Sequence, residues 1–447
     1  MLDDLLELGD RIVARANDGE QIEAIVVNDR ETEVRVFEGD VESFTSATSQ
    51  GIGIRVIAEQ RQGFAWAGSL DPEVIDSTLA EARDNASFGS IDPDLALAEP
   101  DGVEMVELDL YDPAIDSFPT DDKINLALDL ERMAQAGDPR IMLVESVDFA
   151  DSSSEAAVVT TSGIRIGGRD SGCYVSAAVI AGDDDETQIG FGYSVARNPA
   201  DLDLDKAASM SVERSTRLLG AVKPQTGRFT VVLDPMVTAQ FIGIIGGTLS
   251  GEAVLKGRSL FADRVDESVA SSLITLVDDP TNPKAFTAGE ADGEGLATRR
   301  NVLIEDGRLN QFVHNSYTGR RLGTASTGNA VRGFTSTPGT GTIALSLAPG
   351  AREQAELIAD IEDGVLIQGV SGLHSGVNPV SGDFSTGADG LRIRNGELAE
   401  PLREFTIGST LQRMLLDVIE VGGDIDWLPS SAAGLSLVVG DVTVSGA

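Results

Sequence analysis

The sequence predicts an α/β chain of the α+β type. An N-terminal antiparallel sheet with helices should be followed by a strand-rich C-terminal half. Three observations carry this. The chain has 447 residues, 41% of them hydrophobic, which is enough for a buried core and more than one core of about 250–300 residues usually holds. Its 49 glycines point to many turns. Apolar residues alternate with charged ones in several short runs, the mark of strands with one wet face.

The elements follow in order. Residues 2–16 form an amphipathic pattern, with Leu2, Leu5, Leu6, Ile12 and Val13 on one stripe. Strands are expected at Ala24–Asn28, Glu33–Glu38 and Gly51–Glu59. Asp71-Pro72 opens a helix to about Asn85, with Asp as N-cap and Pro at the first helical position. Residues 86–118 look like a linker, and a helix follows over Asp121–Ala136. Strands come next at Ile141–Phe149, Ala156–Thr161 and Cys173–Ala181, then a hairpin tip at Gly182–Glu186 and a return strand at Gln188–Ala196. The acidic tip reads as a solvated turn, since EF-hand spacing is absent. A helix spans Leu204–Leu219, and residues 221–227 are the best domain boundary. This divides the chain into 1–220, with subregions of about 1–90 and 110–220, and 228–447.

Beyond the boundary, Arg228–Leu233 is a buried-type strand, and Asp234-Pro235 starts a helix to about Lys256. Gly243, Gly246, Gly247 and Gly251 in that helix suggest close packing against another element. Hairpins are expected at Val302–Glu305 with Arg308–Phe312, and at Leu391–Arg394 with Glu397–Leu402. A strand, helix, strand pattern over Phe405–Ser409, Leu411–Ile419 and Leu435–Val444 closes the chain.

Composition excludes several functions. The net charge is −40, and the only lysines are Lys123, Lys206, Lys223, Lys256 and Lys284. Acidic residues spread along the whole chain, as salt adaptation would produce. The alternative is a surface for a basic partner. A phosphate backbone needs a basic patch, so no nucleic acid partner is expected. No apolar run is long enough for a membrane span. The N-terminus lacks the cationic start of a signal peptide, which leaves the cytoplasm as the default location. The single cysteine, Cys173, excludes an intrachain disulfide and a cysteine-based zinc cluster, and reads as a buried inert thiol. The only histidines, His314 and His374, stand about sixty residues apart and read as ordinary packed or polar residues. Asp292, Glu294 and Asp383 could hold a cation through oxygen, but each lies beside glycine and turn chemistry explains them more simply. No serine elbow and no phosphate-binding lysine loop is evident.

Several blocks together resemble the TldD/PmbA family. They are 224–228 leading into 231–235, Asp292–Ile304, Ser326–Ala330, and Gly376–Ser385 with Ile393–Glu397 after it. The resemblance covers essentially the whole chain. One branch of that family is similar to a zinc peptidase, with a His-Glu-x-x-x-His motif on the helix after the boundary strand. Here the matching residues are Gly251, Glu252 and Lys256. Glycine offers no side-chain ligand, and a protonated lysine repels a metal ion. The departure matches the metal-free PmbA/TldE-like branch. The resemblance thus implies no catalytic and no metal residues in this chain, with zinc in a TldD-like partner. It implies a non-catalytic subunit that completes or gates a chamber for unfolded or short peptides, with homo-oligomers open when the chain is alone. Two other readings remain open: a regulator of the gyrase-modulator type, and a hydrolase with an unrecognised site.

Overall fold

A computed structural model describes residues 2–183 and 186–446. The N-terminal half is built on one antiparallel sheet in the order β3-β2-β1-β4-β5-β6. The strands are β1 (Gln21–Phe37), β2 (Asp40–Ala58), β3 (Arg61–Ala67), β4 (Ile141–Thr160), β5 (Arg165–Gly182) and β6 (Thr187–Ala196). Two pairs of expected strands are therefore single long ones. Ala24–Asn28 and Glu33–Glu38 both belong to β1, and Ile141–Phe149 and Ala156–Thr161 both belong to β4. Their polar middles stay extended because β1 pairs with β4 without a break from Glu23↔Thr160 to Val36↔Val147. β2 begins eleven residues before the expected Gly51, and β3 was not expected at all. Asp184 and Asp185 of the acidic hairpin tip lie outside the described residues.

Helices cover one end of this sheet and then the other. α1 (Leu2–Val13) and α2 (Pro72–Phe88) bury Leu5, Leu6, Ile12, Ile75 and Leu79 against Ile22, Val26, Ile54 and Val56. α3 (Thr120–Ala136) and α4 (Leu204–Thr216) close over Val34, Val36, Phe149, Val175 and Val179. Each such burial of a large apolar side chain contributes about 1.5–3 kcal/mol. The single sheet runs through both of the expected N-terminal subregions. The turn joining β1 to β2 places Glu38 and Gly39 at φ 53° and 78°, the left-handed pair that a two-residue hairpin needs.

The C-terminal half holds a second six-stranded sheet. Its strands are β7 (Gly227–Leu233), β8 (Asp363–Ser371), β9 (Asp383–Arg394), β10 (Glu397–Thr410), β11 (Val418–Val421) and β12 (Leu437–Ser445), in the order β10-β9-β8-β7-β12-β11. β7 and β8 are parallel; the other neighbours are antiparallel. A further pairing of Thr406–Gly408 with Thr443–Ser445 joins β10 to β12, so five of the strands close into a barrel. The largest core of the molecule surrounds it, with Val231, Leu233, Phe241, Ile367, Ile407 and Val439 among its buried residues. Both expected hairpins are present, at Asn301–Glu305 with Arg308–Leu309 and at β9 with β10. The expected helix Leu411–Ile419 stops at Leu416, and Val418 already starts β11. No helix among the described residues is long and apolar enough to cross a membrane.

Candidate functional site

The segment after β7 carries the site. Asp234 caps α5 (Pro235–Thr248) by accepting from the Met236 amide at 3.1 Å. It also receives Arg214 of α4 at 3.0 Å, which ties the helix start to the N-terminal half. α5 does not continue to Lys256, as the sequence pattern suggested. The helix breaks at Leu249-Ser250 and restarts as α6 (Gly251–Leu255). The cause is main-chain pairing with Val313: the Gly251 amide donates to the Val313 carbonyl at 2.8 Å, and the Val313 amide donates to Leu249 at 2.9 Å. Ser250 then caps the new helix, its Oγ accepting from the Ala253 amide.

Close packing accounts for two of the four glycines. A methyl group at Gly246 would strike Leu345 and Thr342, and one at Gly251 would strike the His314 ring, so these two allow close packing. Gly243 and Gly247 have open space and give no such contact.

His314 therefore occupies the space in front of Gly251. It is buried, its Nδ1 lies 3.3 Å from Thr318 Oγ1, and its amide donates to Thr327 Oγ1 at 2.7 Å. Burial pushes its pKa down, which favours the neutral ring. Glu252 is held by Lys256 one turn on, as an i,i+4 pair on the exposed side of α6. A cavity of about 580 Å³ opens beside this pair, bounded by Arg55, Tyr317, Arg321, Pro338 and Thr340.

A catalytic zinc ion does not fit here. Three protein ligands and an open position are the usual requirement. Gly251 supplies none, Lys256 supplies a cation, and Glu252 is already engaged by it. Among the described residues no three His, Cys, Asp or Glu side chains gather as a metal set. His374 sits on the short exposed helix Leu373–Gly376. Cys173 is buried in β5 and its thiol is pushed up to about 12, by burial first and by Asp151 second.

The three carboxylates noted beside glycines are all engaged in turns or caps. Asp292 accepts the amides of Glu294, Leu296 and Ala330 at 2.9–3.0 Å. Burial and the neighbouring Glu294 nonetheless push its pKa up to about 7. Glu294 accepts from the amide and hydroxyl of Ser316 at the start of α7 (Ser316–Leu322). Asp383 accepts from Ser381 Oγ at 2.7 Å.

Sequence reasoning missed a charged cluster at the junction of the two halves. Glu23 of β1 takes both forks of Arg55 of β2, at 3.0 and 2.8 Å. Arg332, from the C-terminal half, donates to the same Glu23. Glu294 lies 3.9 Å from Arg55. Side chains of all four are at most 5% exposed. Burial works to raise the Glu23 pKa, but Arg332 and Arg55 outweigh it and hold the carboxylate below its usual range. Two residues on, Phe334 packs edge-on against Trp66 at 5.9 Å and fills the space above Gly51. The one available signal was Arg55 and Glu23 standing inside otherwise apolar strand runs.

The fold and this site define a class: an α+β scaffold of two large sheets, with a short helix whose Gly251, Glu252 and Lys256 gather no metal-ligand set among the described residues. Comparison with known proteins agrees on the scaffold. Models of PmbA/TldA metallopeptidase domain 1, central domain and C-terminal domain match residues 22–86, 113–219 and 226–446. Metalloprotease PmbA of Escherichia coli O157:H7 is 26% identical, over 91% of this chain and 88% of that protein. Metalloprotease MJ0996 of Methanocaldococcus jannaschii is 26% identical, over 98% and 96%. A Thermotoga maritima structure, provisionally described as a modulator of a DNA gyrase, superposes with a TM-score of 0.91 at 26% identity, covering 98% of this chain and 99% of that one. The structure of TldE from Thermococcus kodakarensis gives 0.90 at 23% identity, covering 99% of both, and shows the shared fold. The chain belongs to the TldD/PmbA metallopeptidase family, in its PmbA/TldE-like branch.

Proposed function

We propose that this chain is a non-catalytic subunit of a heteromeric TldD/TldE-type metalloprotease acting on unfolded or short peptides. The observation that carries this reading is the site of α6. His314 fills the space where the first motif side chain would stand, and Lys256 replaces the second with a cation held by Glu252. The zinc chemistry then belongs to a TldD-like partner, and this subunit completes or gates the chamber in the cytoplasm. The names of the relatives support a proteolytic setting.

The test is zinc content and peptide hydrolysis at high salt, for the chain alone and mixed with its TldD-like homologue. A metal-free, inert chain that raises the homologue's cleavage supports the subunit role. Stoichiometric zinc and cleavage by the chain alone would sink it. A regulatory role of the gyrase-modulator type draws on the description of the Thermotoga maritima relative. It predicts that a pulldown from native extract brings a gyrase subunit rather than a metal-bearing homologue.

A further inference from the structure

The cavity beside α6 runs against the charge of the chain. Acidic residues outnumber Lys and Arg by 73 to 33. Yet the charged groups lining this cavity are Arg55, Lys256 and Arg321, against the single carboxylate of Glu252. A second cavity, of about 520 Å³, lies between β4, β5 and residues 288–295 and shows the opposite balance. Its lining sets Asp109, Asp170, Glu290 and Asp292 against Arg169.

Each of the three cations has donor capacity to spare. Arg55 is the most telling, because its side chain is only 5% exposed. Its Nε and Nη2 both go to Glu23, and its Nη1 has no hydrogen-bond acceptor among the described residues. A donor on a side chain this buried is costly to leave unmet. Arg321 stands 3.4 Å from Asp94 and 3.6 Å from Asp92, beyond the range of a good N–H···O bond. Lys256 directs one of its three ammonium donors to Glu252. Leu95, Leu255 and Pro338 supply apolar wall beside these groups. The volume of about 580 Å³ falls in the range of small-molecule sites, which join apolar walls to a few polar anchors.

We propose that this cavity binds a free carboxylate carried on an apolar body, held by Arg55 Nη1, Arg321 and Lys256. The inference deepens the subunit reading and rests on it for the supply of ligand, since each peptide bond cleaved in a chamber frees one new carboxylate. A singly charged group fits better than a phosphate. Glu23 and Glu294 stand behind Arg55, and Asp92 and Asp94 stand beside Arg321, so the uncompensated positive charge is small. Guanidinium donors match carboxylate oxygens in geometry and bond them strongly. The burial of Arg55 shields its contact from salt. The carboxylate has two possible sources, a peptide C-terminus and a small organic acid.

The test is titration calorimetry on the purified chain at neutral pH and constant molar ionic strength. The probes are N-acetyl-leucyl-leucine, its C-terminal amide, 4-methylpentanoate and inorganic phosphate. The peptide acid should bind at one site per chain, and the amide at least about tenfold more weakly, because the charged acceptor is gone. Arg321→Gln should weaken the acid by about tenfold and leave the amide unchanged. Arg321 is exposed, and an unfolding curve matching wild type certifies that the variant folds. Tighter binding of the peptide acid than of 4-methylpentanoate assigns the source to peptide C-termini, and the reverse order assigns it to small acids. No binding at millimolar acid would overturn the proposal. So would an amide or phosphate that binds as tightly as the acid, or an Arg321→Gln chain that binds the acid as wild type does or loses acid and amide alike. None of these readouts involves zinc or cleavage. A failed titration therefore leaves the subunit reading standing, and zinc with cleavage by the chain alone would end that reading without changing the titration.

Discussion

Two charge clusters in this molecule are built in opposite ways. The Glu252–Lys256 pair on α6 is exposed, one turn apart, and within one element. The Glu23–Arg55–Arg332–Glu294 cluster is buried and gathers residues from both halves of the chain. The first is a contact that any surface helix can make. The second removes four charges from water, which is costly unless all are matched. The comparison teaches where this chain places its demanding polar chemistry. It lies at the domain junction and not at the motif helix.

The largest effect should come from breaking the junction. Glu23→Leu leaves Arg55 and Arg332 buried without their shared carboxylate, and should destabilise by about 3–5 kcal/mol. The denaturant midpoint at high salt measures it. A loss below that of a surface variant would show that the cluster contributes little.

Next comes the packing at the motif. Gly251→Ala drives a methyl group into the His314 ring and should cost about 1–3 kcal/mol. His314→Ala in the same chain should recover part of that loss. Strictly additive losses in the double-mutant cycle would show that the two residues do not share the space.

A smaller effect concerns pH. The Asp292 carboxyl is raised to about 7 from an ordinary 3.8. The folded state therefore binds this proton more tightly than the unfolded state. Its contribution is fully present below about pH 4 and falls away as pH rises towards 7. Asp292→Asn should flatten the slope of stability against pH within that window, relative to wild type. An unchanged slope would place the titration elsewhere.

The smallest effect is the exposed pair itself. Lys256→Ala should change stability by no more than about 0.5 kcal/mol. A loss of several times that would mean that the pair is a structural anchor, and the contrast with the junction would fail.

The two regions were also unequally legible in the sequence. At α6, Gly251 and Lys256 could be read directly as residues that offer no metal ligand, because ligand chemistry is a property of residue type. The break at Ser250 could not, because it depends on Val313, more than sixty residues away. The same holds for the long strands. Residues 29–32 of β1 and 40–50 of β2 lack the apolar alternation that marks a strand, and are extended because neighbouring strands pair with them. Helices α2 and α3 were legible from local signals: Asp71-Pro72 at one start and Gly137 after one end. Arg332 was invisible, since nothing near it in the chain announces that it will meet Glu23.

The barrel has a temporal consequence. β7 opens the C-terminal half at Gly227, yet its neighbour β12 ends at Ser445. The strand that completes the ladder thus lies far later in the chain than the strand it joins. During synthesis β7 must wait for some two hundred residues with one side unsatisfied, a long-range pairing of the kind that slows folding. The C-terminal half cannot close while its last strand is still inside the ribosome. The N-terminal sheet, complete by Ala196, is free to form first.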